Sequence, residues 1–413
     1  MYAMTKYLTP IRIKENLATT PQITFEVTES CCLNCTYCAY GEFYSDYGKR
    51  HKMKLKFKYV KAFLSFIKEL WDQGYDTNGP AEIYISFYGG EPLMNIGLIK
   101  RTIAFIESNM SGYGKKFSYS MTTNGIFLPR HINYLVEKDF DILISLDGDE
   151  KGNSFRIFHN GKPSFNKVLK SIEYVRTYFP DYFSEKVNFN AVLNRNNSVQ
   201  SIYDYIGDRF GKIPRVSEIS TSGVRNDKRK AFEDIFRNMH ESVEAFKPQE
   251  SDFLKHPNFE SVARYLQMNS PYFFLDYNEL LYGKKHRKMI PTGTCLPFSK
   301  RVFITASGKI LPCEKVGHQF SLGEIRDHNV EIDFNKIADT YNIFFNDISF
   351  LCSKCQYLSS CLVCIFHNGF LQNHSCRKFC TPERAKAERI AVISFLQRYP
   401  ESYSYIMNNL EIL

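Results

Sequence analysis

The sequence predicts an α/β fold built from parallel βα units, and three observations carry that reading. Short β-rich runs alternate with helical patterns from residue 23 to about 221. Between the runs, apolar residues recur at three- and four-residue intervals, the period of a helix with one buried face. Glycine-rich or polar motifs follow the runs at their C-terminal ends. Six strands alternating with helices close into a barrel or lie as an open sheet.

The runs are "ITFEV" (23–27), "EIYISFY" (82–88), "FSYSMTT" (117–123), "DILISL" (141–146), "VNFNAVL" (187–193) and "VSEIST" (216–221). The helical patterns are clearest at 59–73, 97–110 and 165–179. Residues 226–292 read as a helical bridge, with helices over 228–246 and 258–268 and prolines as punctuation. A cysteine-rich segment, 293–381, follows, and an amphipathic helix over 382–399 closes the chain within a terminal region 382–413. No internal repeat is visible.

Composition narrows the class. The chain has 413 residues, 44% hydrophobic and 23% charged, enough to bury a full core. No apolar run is long enough for a transmembrane helix, and the N-terminus lacks the apolar core of a secretion signal, so a cytoplasmic location and no membrane partner are expected. The net charge is +9, and its densest source is "KRHKMKLKFKYVK" (49–61), a solvated face or a docking surface for an acidic partner. No further basic stripe supports a nucleic-acid partner.

Twelve cysteines in a reducing compartment point to metal ligation rather than disulfides. Cys31, Cys35 and Cys38 stand at C-x3-C-x2-C directly after the first strand, with Cys32 interrupting. Three thiolates on one loop suit three corners of a four-iron cluster and leave one iron open. A zinc knuckle with Cys32 as fourth ligand is the alternative; it is disfavoured because adjacent side chains of an extended loop point apart, which leaves Cys32 directed to the core. Four strand ends then converge on one rim: the Cys31 loop, "GGEP" (89–92), "TTNG" (122–125) and "SLDG" (145–148). In a barrel, that rim is where chemistry sits.

These residues resemble the radical SAM enzymes, which carry C-x3-C-x-aromatic-C, with Tyr37 here in the aromatic position. The resemblance implies a partial (β/α)6 TIM-type barrel over 1–225 and a 4Fe–4S cluster that binds S-adenosylmethionine as cosubstrate at its open iron. It implies that Gly89, Gly90 and Glu91 meet the methionine amino group and that Thr123 and Asn124 lie near the nucleoside. Ser145 and Asp147 would suit the ribose hydroxyls, and Arg156 the methionine carboxylate.

The C-terminal segment is similar to the SPASM extension, which holds two auxiliary 4Fe–4S clusters. Its ligands here would be Cys295, Cys313 (after Gly308), Cys352, Cys355, Cys361, Cys364, Cys376 and Cys380. By that analogy Cys352, Cys355 and Cys361 share one cluster with Cys380 or Cys376, and Cys295, Cys313 and Cys364 hold the other, with the remaining cysteine or an open site as fourth ligand. Glu314 follows Cys313 where sulfatase-maturating relatives place an acid; the resemblance makes it a candidate general base, and a surface glutamate is the alternative.

Enzymes with this extension mostly modify peptides or proteins. The implied activity is hydrogen abstraction by a 5′-deoxyadenosyl radical from a ribosomal precursor peptide, leading to a thioether or carbon–carbon crosslink. The alternatives are oxidation of Cys or Ser to formylglycine in a sulfatase, and a non-catalytic iron–sulfur electron carrier or scaffold. The implied partners are the precursor peptide or protein and a reductant such as flavodoxin or ferredoxin; leader recognition falls either to a separate leader-binding protein or to the barrel and bridge themselves.

Overall fold

The computed structural model describes residues 7–44, 52–76, 79–221, 223–246, 253–269, 292–353, 355, 361, 364–366 and 382–409. The chain divides into two compact units. One comprises Pro10–Ala245 and Leu296–Ile337, and the other Met1–Thr9, Phe246–Cys295 and Ala338–Leu413.

The first unit is built on one sheet. Its parallel strands are β1 (Gln22–Thr28), β2 (Glu82–Gly89), β3 (Lys116–Thr123), β4 (Asp141–Ser145), β5 (Val187–Leu193) and β6 (Arg215–Glu218), each paired with the next. All six lie where the alternation of the sequence placed them, and helices Phe57–Asp72, Ile96–Asn109 and Phe165–Tyr178 fill the intervals. Four further strands, β7 (Val302–Ile304), β8 (Lys309–Leu311), β9 (Gly323–Arg326) and β10 (Asn329–Glu331), extend the sheet past β1. β7 runs parallel to β1, and β7 to β10 continue as an antiparallel meander. Residues 302–331, which the sequence reading grouped with the cysteine-rich segment, are therefore part of this sheet.

The two faces of the sheet differ in chemistry, as period-two alternation requires. On β1, Ile23, Phe25 and Val27 are buried on the apolar side, where the Phe25 ring meets Phe63 of the first intervening helix edge to face and stacks on Phe87 of β2. The opposite side carries Thr24, Glu26 and Thr28, and the register continues it through Ser86 and Tyr88 of β2 and Ser120 of β3. Ser86 and Ser120 hydroxyls bond each other at 2.7 Å across that side. Helices thus take the apolar face, and the other face is polar.

Helix 228–246 is not one helix. Arg229–Glu233 and Met239–Glu244 are separate, because the Asn238 side chain accepts the Glu241 amide at 3.1 Å and starts a new N-terminus. In the second unit, Val262, Ala263, Val392, Phe395, Tyr399 and Ile406 form a core. Tyr341 and Phe345 are fully buried there, and the Asn342 amide bonds both main-chain groups of Leu8. The closing helix 382–399 is found as Pro382–Arg398, followed by a second helix, Pro400–Asn409. Among the described residues no helix is long and apolar enough to cross a membrane.

Candidate active site

The cysteine loop leaves β1 at Thr28 and is held on both flanks. On one side the 53–55 segment pairs with it, Glu29 N–H donating to Met53 O at 2.9 Å and Leu55 N–H to Val27 O at 3.1 Å. On the other, Asn34 N–H donates to Ile157 O at 2.7 Å and Thr36 N–H to Phe155 O at 3.0 Å. A turn follows, with Cys38 N–H on Cys35 O and Gly41 N–H on Cys38 O. The loop is thereby stitched to the residues around Arg156, far away in sequence.

The glycines of "GGEP" serve close approach. A Cβ on Gly90 would lie 2.2 Å from Ser30 O, and one on Gly89, whose φ is +130°, 2.3 Å from Thr28 O. Their absence lets Gly90 N–H reach Thr28 O at 2.8 Å and Glu91 N–H reach Ser30 O at 2.9 Å. The second rim motif therefore lies directly against the start of the cysteine loop.

Glu91 is fully buried beneath this rim. Its Oε1 accepts from the Thr123 hydroxyl at 2.7 Å and from Leu93 N–H at 3.1 Å, and its Oε2 accepts from Asn124 N–H at 2.8 Å. Burial pushes its pKa up to about 7 against the lowering effect of those donors. The carboxylate ties β2 to the end of β3, and it is the 89–91 main chain that lies at the rim.

Asp147 is equally buried, with a different set of partners. Its Oδ1 accepts from Arg156 Nη2 at 2.9 Å and from Val192 N–H at 2.8 Å, and its Oδ2 accepts the Tyr37 hydroxyl. Its main chain is fixed as well, N–H to Asn153 Oδ1 and carbonyl to Asn197 Nδ2. The Arg156 guanidinium also lies over the Tyr37 ring, 5.5 Å from its centre. Burial, then Asp147 and Cys35, drive the Tyr37 phenol well above its ordinary range despite Arg156. Tyr37, Asp147 and Arg156 thus face one another, a lock between the cysteine loop, β4 and β5. Arg156 Nε is buried with no hydrogen-bond partner, which leaves one donor of the guanidinium for a ligand. Ser145 is buried at the end of β4.

The loop thiols fit a soft, cationic group. Burial pushes the Cys35 thiol up to about 12; Arg156 pulls it down, and Cys38 and Cys31 raise it further. Such sulfurs become thiolates against iron rather than on their own. Among the described residues no three His, Cys, Asp or Glu gather closely enough to hold a single metal ion. A cluster spans more space than an ion, so three sulfurs at charge-interaction range are the donor set it needs.

Cys32 corrects an expectation. Its sulfur is not turned into the core but lies in hydrogen-bond contact with that of Cys31, and burial adds to the upward push on its thiol. The Asn124 amide nitrogen lies 3.3 Å from Cys32 Sγ and 3.6 Å from Cys31 Sγ. The loop is not extended here: Leu33 N–H donates back to Cys31 Sγ at 3.4 Å, a tight bend that brings both side chains to one side.

Glu314 follows β8, and both its oxygens lie against Arg301 Nη1, at 2.9 and 3.0 Å. Gly308 is the turn of the β7–β8 hairpin at φ +89°. In the second unit, Ile365 N–H donates to Thr294 Oγ1 at 2.9 Å, and Cys295 adds to an upward push on the Cys364 thiol that burial dominates. Cys355 N–H donates to Cys352 O at 3.0 Å. Cys376 and Cys380 lie outside the described residues.

One buried group was not singled out from the sequence. Glu26, on β1, accepts Ala306 N–H at 2.8 Å and bonds the Tyr40 hydroxyl; burial, then Glu26, raise the Tyr40 phenol well above its ordinary range. The signal in the sequence was an acid at an alternate position of the β-rich run "ITFEV"; that β1 is flanked by strands on both sides is a fact of the sheet.

A parallel sheet carries a three-cysteine loop at the end of its first strand, backed by glycine and carboxylate motifs at the ends of the next three. Residues 25–206 match the model of the radical SAM superfamily. It is 25% identical over 351 residues to a cysteine-type anaerobic sulfatase-maturating enzyme of Clostridium novyi, covering 81% of this chain and 84% of that protein. It is 25% identical over 216 residues to the radical SAM cyclopropyl synthase TigE of Paramaledivibacter caminithermalis, 51% of this chain and 42% of the synthase. The chain spans about half the length of curated relatives it matches, 49% in one and 42% in the synthase. The solved structure of native anSMEcpe with bound AdoMet superposes with a TM-score of 0.61 at 18% identity, covering 94% of this chain and 99% of that one, a likeness of fold.

Proposed function

We propose that this protein is a radical SAM maturase that modifies a residue of a peptide or protein. The observation that carries the reading is the loop of Cys31, Cys35 and Cys38 at the end of β1, packed against the close-approach glycines of β2. When bound there, a 4Fe–4S cluster supplies one electron to S-adenosylmethionine, whose cleavage gives the 5′-deoxyadenosyl radical. The three cysteines hold the cluster. The 89–91 main chain borders the open side, where Gly89 and Gly90 admit a ligand closely and suit the methionine amino group. Arg156 Nε is the donor that suits a carboxylate, while Thr123, Asn124 and Ser145 border the nucleoside side. Tyr37 and Asp147 orient Arg156 and the loop.

The finer reading is a crosslink, thioether or carbon–carbon, in a ribosomal precursor peptide. Two auxiliary clusters would be held by Cys295, Cys313, Cys352, Cys355, Cys361, Cys364, Cys376 and Cys380, and would accept the second electron. A flavodoxin or ferredoxin would supply the first, and a separate protein would present the leader. The second reading, oxidation of Cys to formylglycine, is favoured by the match over 84% of the sulfatase-maturating relative. Glu314 would be the base in that reaction. Its pairing with Arg301 holds it in place but takes up both oxygens.

The test is formation of 5′-deoxyadenosine by anaerobically reconstituted protein with dithionite and S-adenosylmethionine. We expect turnover in the wild type and none in Cys35→Ala, which loses the iron of the first cluster. A wild type with full iron content and no 5′-deoxyadenosine overturns both enzymatic readings. Mass spectrometry of co-expressed peptides then separates them: a crosslink with loss of two hydrogens supports the first, and a cysteine converted to aldehyde supports the second.

A further inference from the structure

We infer that Asn124 and Cys32 are hydrogen-bond donors to the Cys31 sulfur and that they set the reduction potential of the cluster proposed at this loop; the inference rests on Cys31 being one of its ligands. Three donors converge on that one sulfur. Leu33 N–H reaches it at 3.4 Å, the Asn124 amide nitrogen at 3.6 Å, and the Cys32 thiol is in hydrogen-bond contact with it. Asn124 Nδ2 also reaches Cys32 Sγ at 3.3 Å, so amide, thiol and ligand sulfur form a short chain.

The direction of the amide is settled by its surroundings. Asn124 Oδ1 accepts Ile126 N–H at 3.1 Å, a role its nitrogen cannot take, so the NH2 group is the end that faces the sulfurs. Its own main-chain N–H is fixed on Glu91, and the residue is 7% exposed, so the donor is held rather than freely rotating. Cys35 has a different environment: among the described contacts no hydrogen-bond donor meets its sulfur, and Arg156 acts on it only as a charge. One corner of the cluster is therefore donor-rich and another is not.

Hydrogen bonds to a ligating thiolate draw charge off the sulfur and favour the reduced, more negative cluster, which raises its potential. An amide N–H is a stronger donor than a thiol, so Asn124 carries more of the effect than Cys32. Both act through Cys31 and are positioning residues. A serine at 32 keeps a donor there, which separates hydrogen bonding from mere space filling.

The test uses full-length protein reconstituted anaerobically, with iron and sulfide counted per chain. EPR-monitored redox titration then follows the reduced-cluster signal that changes on adding S-adenosylmethionine. Asn124→Ala and Cys32→Ala should keep wild-type iron and titrate at more negative potential, with the larger shift for Asn124→Ala. Cys32→Ser should return the potential to the wild-type value or above it. Unchanged potentials in both alanine variants overturn the inference. So does loss of the first cluster's iron in Cys32→Ala, which would make Cys32 a ligand. A wild type with no signal responsive to S-adenosylmethionine removes the cluster reading itself, an outcome distinct from either.

Discussion

Two corners of the same rim bury a carboxylate completely, and they do it in opposite ways. At the β2–β3 corner Glu91 meets only neutral donors: the Thr123 hydroxyl and the amides of Leu93 and Asn124. At the β4–β5 corner Asp147 meets the Arg156 guanidinium as well as the Tyr37 phenol and the Val192 amide. Neutral donors do not offset the loss of water around a charge, so Glu91 is pushed up to about 7 and changes charge near neutrality. At the other corner the cation is built in, and the acid is part of an ion pair with its hydrogen bonds satisfied. One corner is a joint between strand ends that can gain or lose a proton. The other is a lock that joins the cysteine loop to two strands.

The strongest way to break this contrast is to remove the acid of the lock. Asp147→Ala leaves the buried Arg156 without its counter-charge and frees the Tyr37 hydroxyl and Val192 amide. A loss of about 3–5 kcal/mol in unfolding free energy is expected by urea denaturation. A change below about 1 kcal/mol would mean that water reaches Arg156 and that the corner is not dry.

A smaller effect is expected at the joint. Glu91→Gln keeps the shape but turns an acceptor into a donor facing Asn124 N–H or the Thr123 side, for about 1–3 kcal/mol. Its sharper signature is in pH. Because the folded pKa of Glu91 lies above the ordinary glutamate value, the folded state holds the extra proton. Its contribution is fully present below pH 4.5 and is lost as pH rises through about 7. The stability difference between wild type and Glu91→Gln should therefore change across that window and level off above it. A difference constant from pH 4 to 8 would place Glu91 in a wetter site.

The smallest change is Tyr37→Phe, which removes one phenol donor from Asp147 while Arg156 and Val192 remain. About 1 kcal/mol is expected from thermal or urea unfolding, with the ring still under the guanidinium. The double variant Asp147→Ala/Tyr37→Phe should be less destabilised than the sum, because the two side chains share one bond.

Much of this was legible in the linear chain. Strands β1 to β6 announced themselves as short runs with β-branched or aromatic residues recurring at alternate positions, because one face of the sheet is apolar, and the intervening helices because one face must be apolar every three or four residues. The rim motifs were legible for the same reason: C-x3-C-x2-C and "GGEP" are local, and their chemistry is written in residue type and spacing. The β7–β10 meander was not, since strands of three or four residues carry too few positions to show a period. The single helix expected over 228–246 failed on one local cap at Asn238, where a side chain competed with the helical ladder.

What the sequence by itself determined is the inventory: three loop cysteines, glycines where a backbone must approach, and carboxylates at strand ends. What only the tertiary structure decided is which of these groups meet. Asp147 and Arg156 lie nine positions apart, and Tyr37 110 positions from Asp147, yet the three form one lock. Cys32 follows Cys31 directly, and it took a bend at Leu33 and the Asn124 amide just past the end of β3 to bring their sulfurs together. Spacing along a chain states which groups are available. Partnership between them depends on where strand ends converge, and convergence is a property of the packed sheet.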